Sequence, residues 1–172
     1  MIKLFFKNNP FYGEKYMSDN ATKDYPIPVL EGPSFTFAQA YFTWKRITDR
    51  ALEAVGLTHT QYVFMGTLFE LEKHQDKATQ NDLARLTNSD VTMTSQILRT
   101  LQKRGLVCRA QIEGDERAKY SSLSPAGKKL VKKAAEIMKI NEKEYFALVE
   151  KDMEQFLTYL KVLTRVKEIN LL

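Results

Sequence analysis

At 172 residues and 44% apolar content the chain has room for one domain with a real core. A single cysteine, Cys108, excludes a disulfide framework within the chain and suits a reducing compartment. No apolar run is long enough to span a bilayer, and the run Leu4–Phe6 after Lys3 stops at Lys7, too short for a signal-peptide core, so a cytoplasmic protein is expected. The net charge of +5 is unevenly placed: residues 79–133 hold 11 Lys/Arg against 5 Asp/Glu, and the remainder holds 15 against 16. The excess therefore sits in one segment. A solvated lysine face, above all at Lys128, Lys129, Lys132 and Lys133, is the plain alternative to a nucleic-acid surface.

Residues 1–33 read as an irregular arm, because Asn9-Pro10, Pro26, Pro28 and Gly32-Pro33 break any helix. Phe5, Phe6, Phe11, Tyr12, Tyr16 and Tyr25 are too many aromatics for a plain linker, so the arm is expected to pack on another surface; Met17 offers an alternative start. Ser34 is the expected N-cap of a first helix carrying Phe37, Ala40, Tyr41, Trp44, Ile47, Ala51, Ala54 and Val55, stopped by Gly56. Thr58-x-x-Gln61 is a capping box for a second helix with Tyr62, Met65, Leu68, Phe69 and Leu71 on its apolar side.

Thr79-x-x-Asp82 resembles another cap, opening a short helix through Leu83 and Leu86. Ser89 or Asp90 caps the next helix, which runs to Arg104 and ends at Gly105 in the left-handed conformation that glycine accepts cheaply. Val107–Ile112 and Tyr120–Leu123 alternate as strands around Glu113-Gly114-Asp115. Ser124-Pro125 starts a long helix bearing Leu130, Ala134, Ile137, Met138, Tyr145 and Leu148, and a last helix near 152–169 bears Met153, Phe156, Leu157, Leu160, Leu163 and Val166. The fold class is mainly α with a small β-hairpin.

On a helical wheel of residues 90–104, Thr94, Ile97, Leu98 and Leu101 fall on one side. Thr92, Gln96, Arg99 and Lys103 fall opposite, flanked by Ser95 and Thr100. Hydroxyls near the N-terminus, an amide in the middle and two cations beyond suit a helix whose N-terminal end meets base edges in a major groove: Gln pairs with adenine, Arg with guanine. The alternative is an exposed amphipathic helix without a partner. Against it, the only acid nearby is Asp90, spent on the cap, whereas such helices usually mix Glu with Lys. A basic hairpin behind this helix, with Lys119, can reach the neighbouring backbone.

The order GLTHTQYVFMGTL, TQNDLARLT, a helix ending LQKRGLVCR and then GDERAKYSSLSPAG resembles the MarR family of bacterial transcriptional regulators over about residues 35–170. The most specific parts are RGLVxR and DxRAxxxxLxxxG, and the glutamine of LTxxQ adds weight. The resemblance implies a winged helix-turn-helix at 57–123, with dimerisation helices at 34–56 and 124–172, so that 34–172 form one domain behind the 1–33 arm. It implies Arg117 as the wing residue that enters a minor groove, with Asp115 orienting its guanidinium; a surface Asp–Arg pair of little energetic worth is the alternative. Glu113 and Glu116 make this tip more acidic than an ideal DNA-binding loop, which weakens the expected contact. The expected DNA-binding set is Ser89, Thr92, Ser95, Gln96, Arg99, Lys103, Arg117 and Lys119.

The terminal helices carry more apolar surface than one small winged domain covers, and Ile169, Leu171 and Leu172 follow, which favours a homodimer over a monomer with a frayed tail. Its two reading helices would meet a near-palindromic operator ~34 Å apart. The resemblance further implies a repressor released by a small, often aromatic, effector; Tyr41, Trp44 and Tyr62 are candidates to line its site, with simple core packing as the alternative. Cys108 is expected to be a buried small hydrophobe rather than a redox sensor. No metal, cofactor or enzymatic activity is expected: His59 and His74 lack partners at ligand spacing, and no phosphate loop, nucleophile elbow or paired acid and base appears. A protein-binding winged module and a nonspecific DNA-binding protein are the competing readings. Apolar anchors on the outer helix face would favour the first.

Overall fold

Most helices begin where a side chain can satisfy the free N–H groups of a first turn. The computed structural model of the chain describes residues 32–74, 78–112 and 115–164, with the backbone alone for 112 and 115–118. The aromatic arm and the segment with Val166, Ile169, Leu171 and Leu172 lie outside the described residues. Helix α1 spans Pro33–Leu52 and closes in a 3-10 turn, Glu53–Val55, with Gly56 left-handed at φ 64°. Ser34 is not its cap: the helix already starts at Pro33, where a missing N–H costs nothing, and the Thr36 N–H reaches the Gly32 carbonyl at 3.0 Å. The chain divides into two compact units, Met1–Thr43 and Trp44–Leu172.

Helix α2, His59–Lys73, opens on the reciprocal Thr58–Gln61 box, and α3, Gln80–Leu86, on the same box built by Thr79 and Asp82. Thr79 donates from both hydroxyl and N–H to the Asp82 carboxyl, which holds it below the usual carboxylate range. Helix α4 is Val91–Lys103; its cap is Asp90, whose carboxylate accepts the Met93 N–H at 2.8 Å. Ser89 is engaged in the turn instead, its hydroxyl accepting from Thr87 at 3.1 Å. Asn88 turns the chain between α3 and α4 at φ 50°, a conformation Asn tolerates.

The sheet has three strands where the sequence suggests two. β1 (Ala78–Thr79), β2 (Val107–Ile112) and β3 (Asp115–Leu123) are antiparallel in the order β1-β3-β2, with Ala78 opposite Ser121 and Arg109 also opposite Ser121. β3 begins at Asp115, not Tyr120, because pairing with β2 extends through residues of poor strand propensity. Helix α5, Pro125–Phe146, is capped by Ser124; a 3-10 stretch Ala147–Asp152, kinked at Val149, leads to α6, Met153–Thr164.

The core is shared by α2–α5 and the sheet: Phe64, Met65, Leu68, Leu83, Leu98, Leu101, Leu106, Val107, Leu123, Val131, Ala134 and Met138 are buried together. Each of the larger side chains, Ala134 excepted, contributes roughly 1.5–3 kcal/mol of burial. Phe64 belongs to this core although it lies off the stripe read for α2; other elements cover α2 on more than one side, so its buried arc is wider than a single stripe. On α1 the expected apolar side is largely exposed at Phe37, Tyr41 and Ile47, and the buried positions are Thr48 and Leu52. Thr48 is satisfied by the Asn141 amide at 3.3 Å. No residue of α6 is buried, and Leu148 is 93% exposed. Among the described residues no helix is long and apolar enough to cross a membrane, and no cluster could hold a metal ion.

Candidate nucleic-acid interface

Helix α4 separates its two faces as the wheel requires. Thr94, Leu98 and Leu101 are buried, and the Thr94 hydroxyl donates to the Asp90 carbonyl at 2.8 Å, so the one polar group of the inner face has a partner. Thr92, Gln96, Arg99 and Lys103 are exposed in a row, with Ser95 half-buried beside them. Arg99 is held along the helix: its Nε and Nη2 donate to Ser95 Oγ at 3.2 and 2.8 Å. The guanidinium is thus pre-oriented while its outer edge stays open. Val91 and Met93, 50% and 37% exposed, add apolar surface at the helix start.

The C-terminal end of α4 is tied to α5. Gly105 takes φ 67°, and its carbonyl accepts the Ser124 hydroxyl at 2.6 Å, while the Ser124 N–H donates to the Leu106 carbonyl at 3.0 Å. The same hydroxyl caps α5 by accepting the Gly127 N–H. Glu72 of α2 braces the other strand: Oε1 accepts the Leu123 N–H at 2.6 Å, and Oε2 pairs with Lys128 Nζ at 2.7 Å. The β2–β3 hairpin is therefore anchored at its base next to the exposed row of α4. Lys119 is exposed on β3 opposite Gln111. Asp115 and Arg117 lie in β3, where their side chains fall outside the described residues.

Two residues join this neighbourhood that the sequence reading missed. Arg109 of β2 donates from Nη2 to Gln80 Oε1 at 3.2 Å, and Gln80 Nε2 donates to the Val91 carbonyl at 3.2 Å. Arg109 shares the inward side of β2 with buried Val107, and a cation on that side was the available signal. Cys108, expected to be buried, is exposed: strand alternation that turns Val107 into the core turns its neighbour out.

The candidate effector residues do not share one environment. Trp44 sits in an aromatic cluster, 4.9 Å from Tyr145 and 5.1 Å from Phe146, and Phe146 continues it to Phe156. Tyr62 lines an open groove of about 470 Å³ with Val63, Gly66, Thr67, Glu70, Leu71 and Leu86. Burial, then Glu142 and Glu70, raise its hydroxyl pKa. Tyr41, in the first unit, is exposed with its ring 5.5 Å from Phe42.

A helix–turn–helix, α3–α4, followed by an anchored hairpin on a helical scaffold defines the winged helix-turn-helix class. The sequence model of the MarR family matches residues 57–119, which run from the start of α2 through most of the hairpin. The uncharacterised HTH-type transcriptional regulator YdcH of Bacillus subtilis (strain 168) is 32% identical over 133 residues, 77% of this chain and 90% of YdcH. A crystal structure of S. aureus MepR in complex with DNA is similar at a TM-score of 0.67 and 26% identity, covering 79% of this chain and 97% of that one. CouR of Rhodococcus jostii RHA1, solved with p-coumaroyl-CoA, shares the fold at a TM-score of 0.70 and 17% identity, covering 83% and 98%. The chain belongs to the MarR family of transcriptional regulators.

Proposed function

We propose that the chain is a homodimeric, sequence-specific repressor that binds a near-palindromic operator through α4 and the hairpin and leaves it when a small aromatic ligand binds. One observation carries the DNA reading: Thr92, Gln96, Arg99 and Lys103 form an exposed row on a helix whose opposite face is buried in the core. Such a row offers hydroxyl, amide and guanidinium groups to base edges, and the likeness to MepR, solved on DNA, supports the same use here. Arg117 is the wing residue for the flanking minor groove, and Asp115 its orienting carboxylate.

Dimerisation is supported by apolar surface left without cover. Ile140, Leu148, Val149, Leu157, Val162 and Leu163 are exposed on α5, α6 and the stretch joining them. Surface of that kind on consecutive elements marks an interface, and a two-fold pair covers it with two copies of the same patch. The effector site is proposed at the Tyr62 groove, where Gly66 leaves the floor open. A single unpaired cysteine suits action in the cytoplasm.

The test is selection of bound fragments from the host genome, followed by competition against random duplex. A specific regulator favours its own site by at least about a thousandfold. Equal binding to all duplexes supports the nonspecific reading. The exposed Leu86, Val91 and Met93 favour, as second reading, a protein-binding face; failure to bind any fragment in dilute buffer decides for it.

A further inference from the structure

Arg109 is a cation in an awkward place. It stands on the inward side of β2, directly opposite Ser121, which is 3% exposed. Its Nε is buried without a hydrogen-bond partner, as is the Ser121 hydroxyl. Among the described residues its one acceptor is the neutral Gln80 amide, and it forms no ion pair with them. The charge that bears on it is Arg99's, of the same sign; burial first and Arg99 second lower its pKa. A partly desolvated cation beside another cation is costly unless an anion completes the site.

The placement says which anion. Val91, Ser95 and Arg99 follow one another at i, i+4 spacing and form one row along α4. Gln80 spends both ends of its amide fixing Arg109 to the head of that row: Oε1 accepts from Arg109, and Nε2 donates to the Val91 carbonyl. Arg109, on the first strand of the hairpin, is therefore tied through Gln80 to the start of α4, in the seam between that helix and the hairpin. When a helix lies in a major groove and a hairpin reaches the adjacent minor groove, a DNA strand crosses that seam. What it presents there is a phosphate, to which a guanidinium binds strongly and in two-pronged fashion.

We propose that Arg109, held by Gln80, contacts a DNA backbone phosphate in the seam between α4 and the hairpin. The inference rests on the DNA-binding reading above. It assigns Arg109 to register and affinity, and leaves base choice to the outer face of α4.

The probe is a fluorescein-labelled duplex of mixed sequence, titrated with the full chain over a salt series, since phosphate contacts need no operator. Arg109→Gln and Arg109→Met, the second keeping the aliphatic stem, are expected to weaken binding and to reduce the slope of log K against log salt by about one. Arg109→Lys is expected to keep the slope. An unchanged slope in either neutral variant, while the unaltered protein binds, overturns the phosphate assignment alone. Failure of both neutral variants to fold also overturns it, because the charge would then serve the fold. No binding by the unaltered protein at low salt instead removes the DNA-binding reading itself.

Discussion

Gly127 lies against the backbone of Leu106: a Cβ at residue 127 would stand 2.1 Å from the Leu106 carbonyl oxygen and 3.0 Å from its carbonyl carbon. The glycine that closes DxRAxxxxLxxxG is thus the point where α5 crosses the end of α4. Two hydrogen bonds secure the crossing, from the Ser124 hydroxyl to Gly105 and from the Ser124 N–H to Leu106.

Gly127→Ala is accordingly expected to destabilise the fold by about 3 kcal/mol, the upper range for forcing atoms into a packed interior, since backbone rather than a side chain must yield. Denaturant unfolding measures it. A loss under about 0.5 kcal/mol, within the range of ordinary surface substitutions, would mean that α5 is not fixed at this crossing.

Arg99→Ala, on the selected operator, is expected to cost about 1–3 kcal/mol of binding and to relax preference at one base pair. Lys103→Ala, further from the helix start, is expected to weaken all sequences alike and to lower the salt slope by about one. Titrations on the operator and its single-base variants separate the two. Uniform weakening by Arg99→Ala would make Arg99 a phosphate contact.

Leu148, at 93% exposure, touches little within its own chain. Leu148→Glu should leave the secondary structure intact and shift the protein toward monomer, because a charge would enter an apolar interface. Sedimentation velocity reads the mass. A dimer of undiminished strength would place the interface elsewhere.

Acid should weaken the fold at the α1–α2 junction. The Asp49 carboxylate accepts the His59 N–H at 2.6 Å and pairs with Lys45. Burial raises the Asp49 pKa, but the Lys45 and His59 hydrogen bonds and the Lys45 charge outweigh it, so it lies below 3.8. Burial lowers that of the His59 imidazole below 6.5, against the opposing pull of Asp49. Both folded pKa values are depressed, so the unfolded chain binds more protons as pH falls and stability falls with it. The imidazole contribution starts to fade below about pH 6.5 and levels off beneath its folded pKa; the carboxylate contribution fades below about 3.8. Unfolding free energies from pH 7.5 to 5 should decline, and His59→Gln should flatten that decline. An equal decline in the variant would assign it to other groups.

Much of this architecture is legible because single residues announce helix ends. Thr58 with Gln61, Thr79 with Asp82, Asp90, Gly56, Gly105 and Ser124-Pro125 each satisfy or release a backbone group locally, and local chemistry is visible in a sequence. The split of α4 into a buried and an exposed face follows from periodicity alone. What stayed hidden depends on distant partners. β1 is two residues whose strand character comes from pairing with Ser121 and Tyr120. The start of β3 at Asp115 comes from its partner strand, and the exposure of Cys108 from which side of β2 meets the core. Gln80 and Arg109, 29 positions apart, meet only in the folded chain.

The most direct measurement is competition binding of a genome-selected fragment against random duplex, for the unaltered protein and for a variant carrying Thr92→Ala, Gln96→Ala and Arg99→Ala together. The outer face of α4 as the base-reading surface requires a preference of at least about a thousandfold that collapses in the variant, with melting temperature and oligomeric mass unchanged. A triple variant that keeps the preference would contradict it.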